Sequence, residues 1–210
     1  MTQSNRPDWL LLARELQALA QTGLGFTEGI FDRERYRRVG EIAAIMLADG
    51  SGMAPDKVME LLQFDKGYAT PKIGVRGAVI RDNRILLVRE TSDGKWAMPG
   101  GWCDPNQTVA ACIEREIREE TGYTARATKL LALLDHSLHH PPHMYYHYVA
   151  FFACEIVGGE QVFSIETDAI DFFAPDALPP LSPGRTTIPQ VEMAFRHWRE
   201  PSLAAEFDRS

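Results

Sequence analysis

The stretch Arg115-Glu116-Ile117-Arg118-Glu119-Glu120-Thr121-Gly122-Tyr123, approached through Met98-Pro99-Gly100-Gly101, decides how this chain is read. At about 100° per residue on a helix, Glu116, Glu119 and Glu120 fall within a sector of roughly 100°, so three carboxylates project from one face. Packed together without a counter-charge, they repel one another and raise each other's pKa. A metal ion is the natural relief. Every donor on the face is an oxygen, with no Cys or His among them, which favours Mg²⁺ or Mn²⁺ over Zn²⁺. Mg²⁺ takes one or two protein carboxylates plus substrate phosphates, so the face implies a phosphorylated ligand.

Acidic helix faces are also common as solvated, salt-bridged surfaces, and three glutamates alone favour that reading. The surroundings reverse it. Gly101, Arg115, Glu116, Glu119, Glu120 and Gly122 stand at the spacing of one pattern, G-x5-E-x7-R-E-U-x-E-E-x-G-U, where U is bulky apolar or aromatic. With each residue type at a background of about one in fifteen, six fixed positions coincide by chance about once in 10⁷ placements.

This segment resembles the Nudix box, and the chain is similar to Nudix hydrolases. The resemblance implies Mg²⁺- or Mn²⁺-dependent cleavage of nucleoside diphosphates linked to another moiety. Carried over by position, it makes Glu116, Glu119 and Glu120 metal ligands and Arg115 the residue that orients Glu116. Gly100 and Gly122 become supporting positions, and Gly101 a substrate contact. It also implies an α+β fold, an α/β/α sandwich around a mixed sheet.

One position departs from the pattern. Gln107 stands where the family has its first Glu, a residue of the supporting shell. Gln keeps the length and a hydrogen-bond acceptor but loses the charge, so a modest effect on activity is expected while the three metal-ligand candidates remain. The reaction also needs a base. Glu116 or Glu120 serves, but a carboxylate pinned to metal is a weak base, and many Nudix enzymes use a Glu from a later loop. Glu166, in Ser164-Ile165-Glu166-Thr167-Asp168 ahead of Ala169-Ile170-Asp171-Phe172-Phe173, is the candidate, against an ordinary acidic turn.

Composition sets bounds. The chain has 210 residues, 45% hydrophobic, enough for one large or two small domains. Its net charge of -7 offers no footprint for duplex nucleic acid, although single-stranded RNA stays open. No run approaches the roughly 20 apolar residues of a membrane span, and the polar N-terminus does not read as a signal peptide. Cys103, Cys112 and Cys154 show no C-x-x-C spacing and suit a reduced cytosol, with Cys112 and Cys154 as core. A cytoplasmic location is expected.

Residues 1–68 read as a helical extension and residues 69–210 as the catalytic domain. In the extension Trp9, Leu12, Leu16 and Leu19 form one stripe, Tyr36, Val39, Ala43 and Met46 another, and Val58, Leu61 and Leu62 a third, with Pro55 at a helix start. Three short helices bury little area alone, so they are expected to pack on the catalytic domain or on a second subunit. The segment resembles the helical extension of a bacterial Nudix subgroup. That subgroup acts on CDP-choline, ADP-ribose or dinucleoside polyphosphates and is typically dimeric, which implies a homodimer here. Arg33, Arg35, Arg37 and Arg38 are interleaved with acids and read as a solvated face.

From Lys72 the pattern turns to strands. Ile73 to Ile80, a turn at Asp82-Asn83, and Arg84 to Val88 read as a hairpin. Leu130 to Leu134, Tyr145 to Ile156 and the run before Phe173 read as further strands, with Tyr148 to Cys154 interior. A last helix starts near Ile188, with Val191, Phe195 and Trp198 spaced for burial. No G-x-x-x-x-G-K-[ST] occurs, which argues against a P-loop.

Substrate contacts outside the box are harder to read. Asp135 to His147 gathers five of the six histidines. They lack partners at familiar zinc spacing, so the stretch reads as a loop bordering the site, with His143 offered to substrate, or as a plain connection. Arg76 and Arg89 are suited to phosphate, though pairing with surface acids is the commoner outcome, and Arg185 shares the ambiguity. The function expected is hydrolysis of the pyrophosphate linkage of a nucleoside diphosphate derivative, CDP-choline or ADP-ribose first and a dinucleoside polyphosphate next. The alternative is a non-catalytic, nucleotide-sensing Nudix regulator.

Overall fold

The computed structural model describes residues 8–51, 53–62, 66–141, 143, 145–164 and 167–209. They form two compact units. One holds the chain up to Pro71 with His143, Tyr145 and Tyr146, and the other holds Lys72 to Pro141 with the chain from His147 onward.

The first unit contains α1 (Asp8–Phe26), α2 (Ile30–Ser51) and α3 (Pro55–Leu62). The first two are long, 19 and 22 residues, rather than the short helices expected. Pro55 opens α3, where its fixed φ and missing N–H cost nothing. The core of this unit is Leu10, Ala13, Ala44, Leu47, Ala48 and Val58. The stripe read from α1 is therefore the wrong one, because Trp9, Leu12 and Leu19 are exposed while Leu10, Ala13 and Ala20 are buried. The helix is apolar over much of its circumference, and the small residues won the inner face. A Cβ on Gly40 would stand 3.5 Å from Ala20 Cβ, so these two small residues bring α1 and α2 close together. The arginines of α2 lie outside, with Arg35 on Asp32 and Arg38 on Glu41 in exposed pairs.

The second unit is a mixed sheet between helices. Its strands are β1 (Lys72–Arg81), β2 (Arg84–Glu90), β3 (Trp96–Ala97), β4 (Tyr123–Asp135), β5 (His147–Gly159), β6 (Thr167–Phe173) and β7 (Glu206–Phe207). The order is β3-β2-β1-β5-β4-β7, with β6 also on β2. Asp82 and Asn83 turn the β1–β2 hairpin with φ of 53° and 55°, the doubly positive turn that two-residue hairpins favour. The hairpin then opens, for β1 pairs in parallel with β5 from Lys72 to Val79 while β2 takes β6. The segment after β3 fills the gap, with Gly77 N donating to Pro99 O, Val75 N to Gly101 O and Cys103 N to Ile73 O.

Alternation along the strands separates two cores. Leu86 and Val88 join Cys112, Ile113 and Ile117 of α4 (Val109–Thr121), whereas Ile85 and Leu87 join Val191 and Phe195 of α6 (Ile188–Arg199). The α/β/α sandwich follows from that period of two. The C-terminal helix begins as read, but Trp198 is 44% exposed and only meets the Phe195 ring edge-on. A short α5 (His136–His139) interrupts the His-rich stretch.

Candidate active site

Helix α4 is built to hold one wet and one dry face in a fixed place. The Thr108 side chain caps its start by accepting from Ala111 N, and Gly122 ends it in the left-handed region at φ 78°. A Cβ on Gly122 would lie 2.3 Å from Glu160 O, so glycine is required there on two counts. On the dry face Ile113 and Ile117 are fully buried, each contributing about 1.5–3 kcal/mol. They lie directly over Gly77, whose absent Cβ would meet Ile117 Cδ1 at 2.8 Å.

The wet face lines a cavity of about 610 Å³ with Gly101, Trp102, Asp104, Arg115, Glu116, Glu119, Glu120 and Ser164. Three carboxylates, the arginine and the glycine read from the sequence thus share one wall. Arg115 is the hub of the cluster. Its Nη2 stands 3.0 Å from Glu116 Oε1 and 3.1 Å from Asp104 Oδ2, its Nη1 donates to Glu119 Oε2 at 2.8 Å, and its Nε donates to Gln107 Oε1 at 3.3 Å. Gln107 is thus a neutral acceptor for Arg115.

Glu120 is the buried member. Its Oε2 accepts from Gly100 N at 3.0 Å, and burial pushes its carboxyl up to about 8, against the pull of Arg76 and the Gly100 amide. Burial also raises Glu116, with Arg115 opposing. Gly100 can aim its amide this way because φ is 149° and a Cβ would fall 2.0 Å from Val75 O. Gly101 leaves room for Glu116, whose Oε1 would meet an added Cβ at 2.7 Å.

Among the described residues, no three His, Cys, Asp or Glu side chains are gathered as a ready metal cluster. Glu119 turns to Arg115 and Glu120 to Gly100. The donor chemistry still fits a hard divalent cation. The carboxylates supply oxygen only, two of them are held in a partly desolvated wall with raised pKa values, and a cation would relieve both.

The remaining candidates lie elsewhere. Arg76 Nη1 donates to Met98 O and Gly100 O at 3.1 and 2.6 Å, so it clamps the glycine loop instead of lining the cavity. Arg89 forms a two-bond pair with Asp168 across β2 and β6. His143 belongs to the N-terminal unit, where its carbonyl accepts from Arg14, and it does not line the cavity. Arg185 pairs with Glu90 at 3.2 Å. Glu166 lies outside the described residues.

Sequence reasoning missed Trp102, Asp104 and Ser164 as lining residues. Trp102 carried a signal, a large aromatic directly after the glycine pair. Cys103 is half-buried, and burial with the neighbouring Cys112 thiol pushes it up to about 12, so it is no thiolate nucleophile at neutral pH.

Residues 71–192 match the model of the NUDIX domain, and residues 7–62 match that of the "UDP-X-like, N-terminal oligomerisation domain". The chain is 44% identical over 201 residues to the Bacillus subtilis (strain 168) protein named "Putative ADP-ribose pyrophosphatase YjhB", covering 95% of this chain and 97% of that one. The solved structure of a UDP-X diphosphatase superposes with a TM-score of 0.62 at 32% identity, over 95% of this chain and 97% of that chain. An ADP-ribose pyrophosphatase from Streptococcus suis 89-1591 gives a TM-score of 0.62 at 37% identity, over 66% of this chain and all (100%) of that chain.

Proposed function

The chain belongs to the Nudix hydrolase family, and we propose that it hydrolyses the pyrophosphate linkage of a nucleoside diphosphate derivative, ADP-ribose first, at the acidic wall of α4. It is a pyrophosphohydrolase, so a purely nucleotide-sensing role gives way to catalysis. ADP-ribose is preferred because two relatives that share at least 37% identity with it carry that substrate in their names. A UDP-linked derivative is the second choice, after the UDP-X diphosphatase, and CDP-choline the third.

The observation that carries the reading is the shared wall of Gly101, Arg115, Glu116, Glu119 and Glu120. Glu116 and Glu120 would hold a divalent cation, Mg²⁺ or Mn²⁺, and Glu119, which is exposed, would join by leaving Arg115. When bound, the ion supplies neutralisation of the phosphate charge and a more acidic water. The protein's own groups do the rest. Arg115 fixes the Glu116 carboxylate, the Gly100 amide fixes Glu120, and Arg76 holds the carbonyls of the loop that presents that amide. Glu166 remains the proposed base, from its place in the acidic stretch ahead of Phe172 and Phe173.

The test is incubation with Mg²⁺ or Mn²⁺ and a panel of ADP-ribose, UDP-sugars, CDP-choline, dinucleoside polyphosphates and nucleoside triphosphates. Turnover of ADP-ribose that Glu120→Gln abolishes is the expected result. Absence of turnover across the panel would overturn the reading.

A further inference from the structure

The cavity wall contains one aromatic residue among those described, and it is unusually well fixed. Trp102 is 43% exposed, yet its backbone is tied at three points. It bridges to Gly74 of β1, the following Cys103 N donates to Ile73 O at 3.0 Å, and its own carbonyl accepts from Arg115 Nη2 at 3.4 Å. Its ring is backed as well. His147 meets it edge-on with centroids 4.8 Å apart, His136 lies 4.0 Å beyond His147, and His140 stacks on His136 at 4.3 Å. His136 and His147 are buried, at 5% and 6% exposure. Three histidines of the stretch, His136, His140 and His147, thus form a row of rings behind Trp102, and none of them lines the cavity.

A rigid aromatic one residue from Gly101 stands next to the carboxylates assigned to the pyrophosphate. The part of a substrate that reaches it is the group attached beyond the phosphates. We propose that Trp102 is the stacking platform for the nucleobase of the substrate, an assignment that rests on the pyrophosphohydrolase reading of the wall. A planar base needs one ring face, and every base has a face to offer. A quaternary ammonium group is recognised by rings on several sides, and among the described residues lining this wall one is aromatic. The backing column lets the ring bind without first losing rotational freedom, which lowers the cost of association.

The experiment uses AMP and ribose 5-phosphate, which differ by the base alone, titrated calorimetrically with Mg²⁺ into the full chain. The wild-type protein is expected to bind AMP about 5- to 150-fold more tightly than ribose 5-phosphate. Trp102→Ala brings that ratio close to one, and Trp102→Phe, which keeps a ring and guards against misfolding, retains most of it. A Trp102→Ala protein that keeps the wild-type ratio, or a wild-type protein that binds both alike, overturns this assignment and leaves the hydrolysis reading standing. Binding of neither probe, together with no turnover of the substrate panel, overturns both.

Discussion

The Arg115 guanidinium donates through Nε to the Gln107 side-chain oxygen at 3.3 Å. The acceptor that steadies Arg115 is therefore an amide, and the same guanidinium holds Glu116, Glu119 and Asp104. Restoring a charge by Gln107→Glu adds one more acid to a centre already well paired, so turnover is expected to change by less than about tenfold, or about 1.4 kcal/mol. Gln107→Leu removes the acceptor and is expected to cost more than Gln107→Glu changes. Steady-state kinetics of the two variants side by side decide it, and a larger gain from Gln107→Glu would show a site weakened by the natural amide.

The carboxylates are unequal in the structure and should be unequal in function. Glu120 is buried on the Gly100 amide, and Glu119 is exposed on Arg115. Glu120→Gln is expected to lower turnover by at least about a hundredfold, roughly 2.7 kcal/mol, and Glu119→Gln by less. Removing divalent cation with a chelator should abolish turnover in the wild type, with recovery on adding Mg²⁺ or Mn²⁺. Equal losses in the two variants would argue against Glu120 as the principal ligand.

Neighbouring glycines separate activity from stability. A Cβ at Gly101 meets Glu116 Oε1 at 2.7 Å, the far end of a side chain that can swing away, whereas a Cβ at Gly100 meets the backbone at Val75 O at 2.0 Å. Gly101→Ala is therefore expected to keep the fold and lose activity by displacing Glu116. Gly100→Ala should lower the melting temperature as well, since both φ and space forbid it. Thermal melts paired with turnover distinguish the two, and a stable, inactive Gly100→Ala protein would contradict the contact with β1.

What could be read in advance was whatever local chemistry decides. The Asp82–Asn83 turn, the acidic face of α4 and the interior strand β5 each follow from a few adjacent residues. Strands β3 and β7, two residues each, are too short to carry a period. The arrangement of the histidines is illegible for a different reason. Their stacking partners are set by where α5, β5 and the glycine loop meet, and no spacing within the run reports that. The charge of Arg76 is visible in the sequence and suits phosphate or an acid, whereas its partners, the carbonyls of Met98 and Gly100, exist only once the loop lies on β1.

His140 makes a pH prediction with a definite sign. Burial lowers its pKa below 6.5, opposed by the Pro183 carbonyl it contacts, and its Nε2 lies 2.7 Å from Gln190 Nε2. The unfolded chain takes up the proton first as pH falls, so the His140 contribution is intact above about 6.5 and is lost toward the lower folded value. The groups facing it include His136, stacked on its ring, and His139 and Arg76, whose charges also disfavour protonation. His140→Gln should therefore lose less melting temperature between pH 7.5 and pH 5.5 than the wild type. A larger loss in the variant would reverse the sign.

The outer face of α1 poses the question of what covers it. Trp9, Leu12 and Leu19 are exposed at 36%, 54% and 56%, with Phe26, Ile30 and Phe31 at 70% or more. Large apolar patches of this kind mark association surfaces, and the segment matches an oligomerisation domain. A second copy of the chain is the proposed cover, because the inner face of α1 is already satisfied by α2 through Ala13 and Ala20. Placing charge on the outer face leaves that inner packing alone, so Leu12→Glu with Leu19→Glu should fold and yield monomers where the wild type is expected to yield dimers. Light scattering on the eluted peak measures the mass directly, and a double variant that remains dimeric would move the interface off this face.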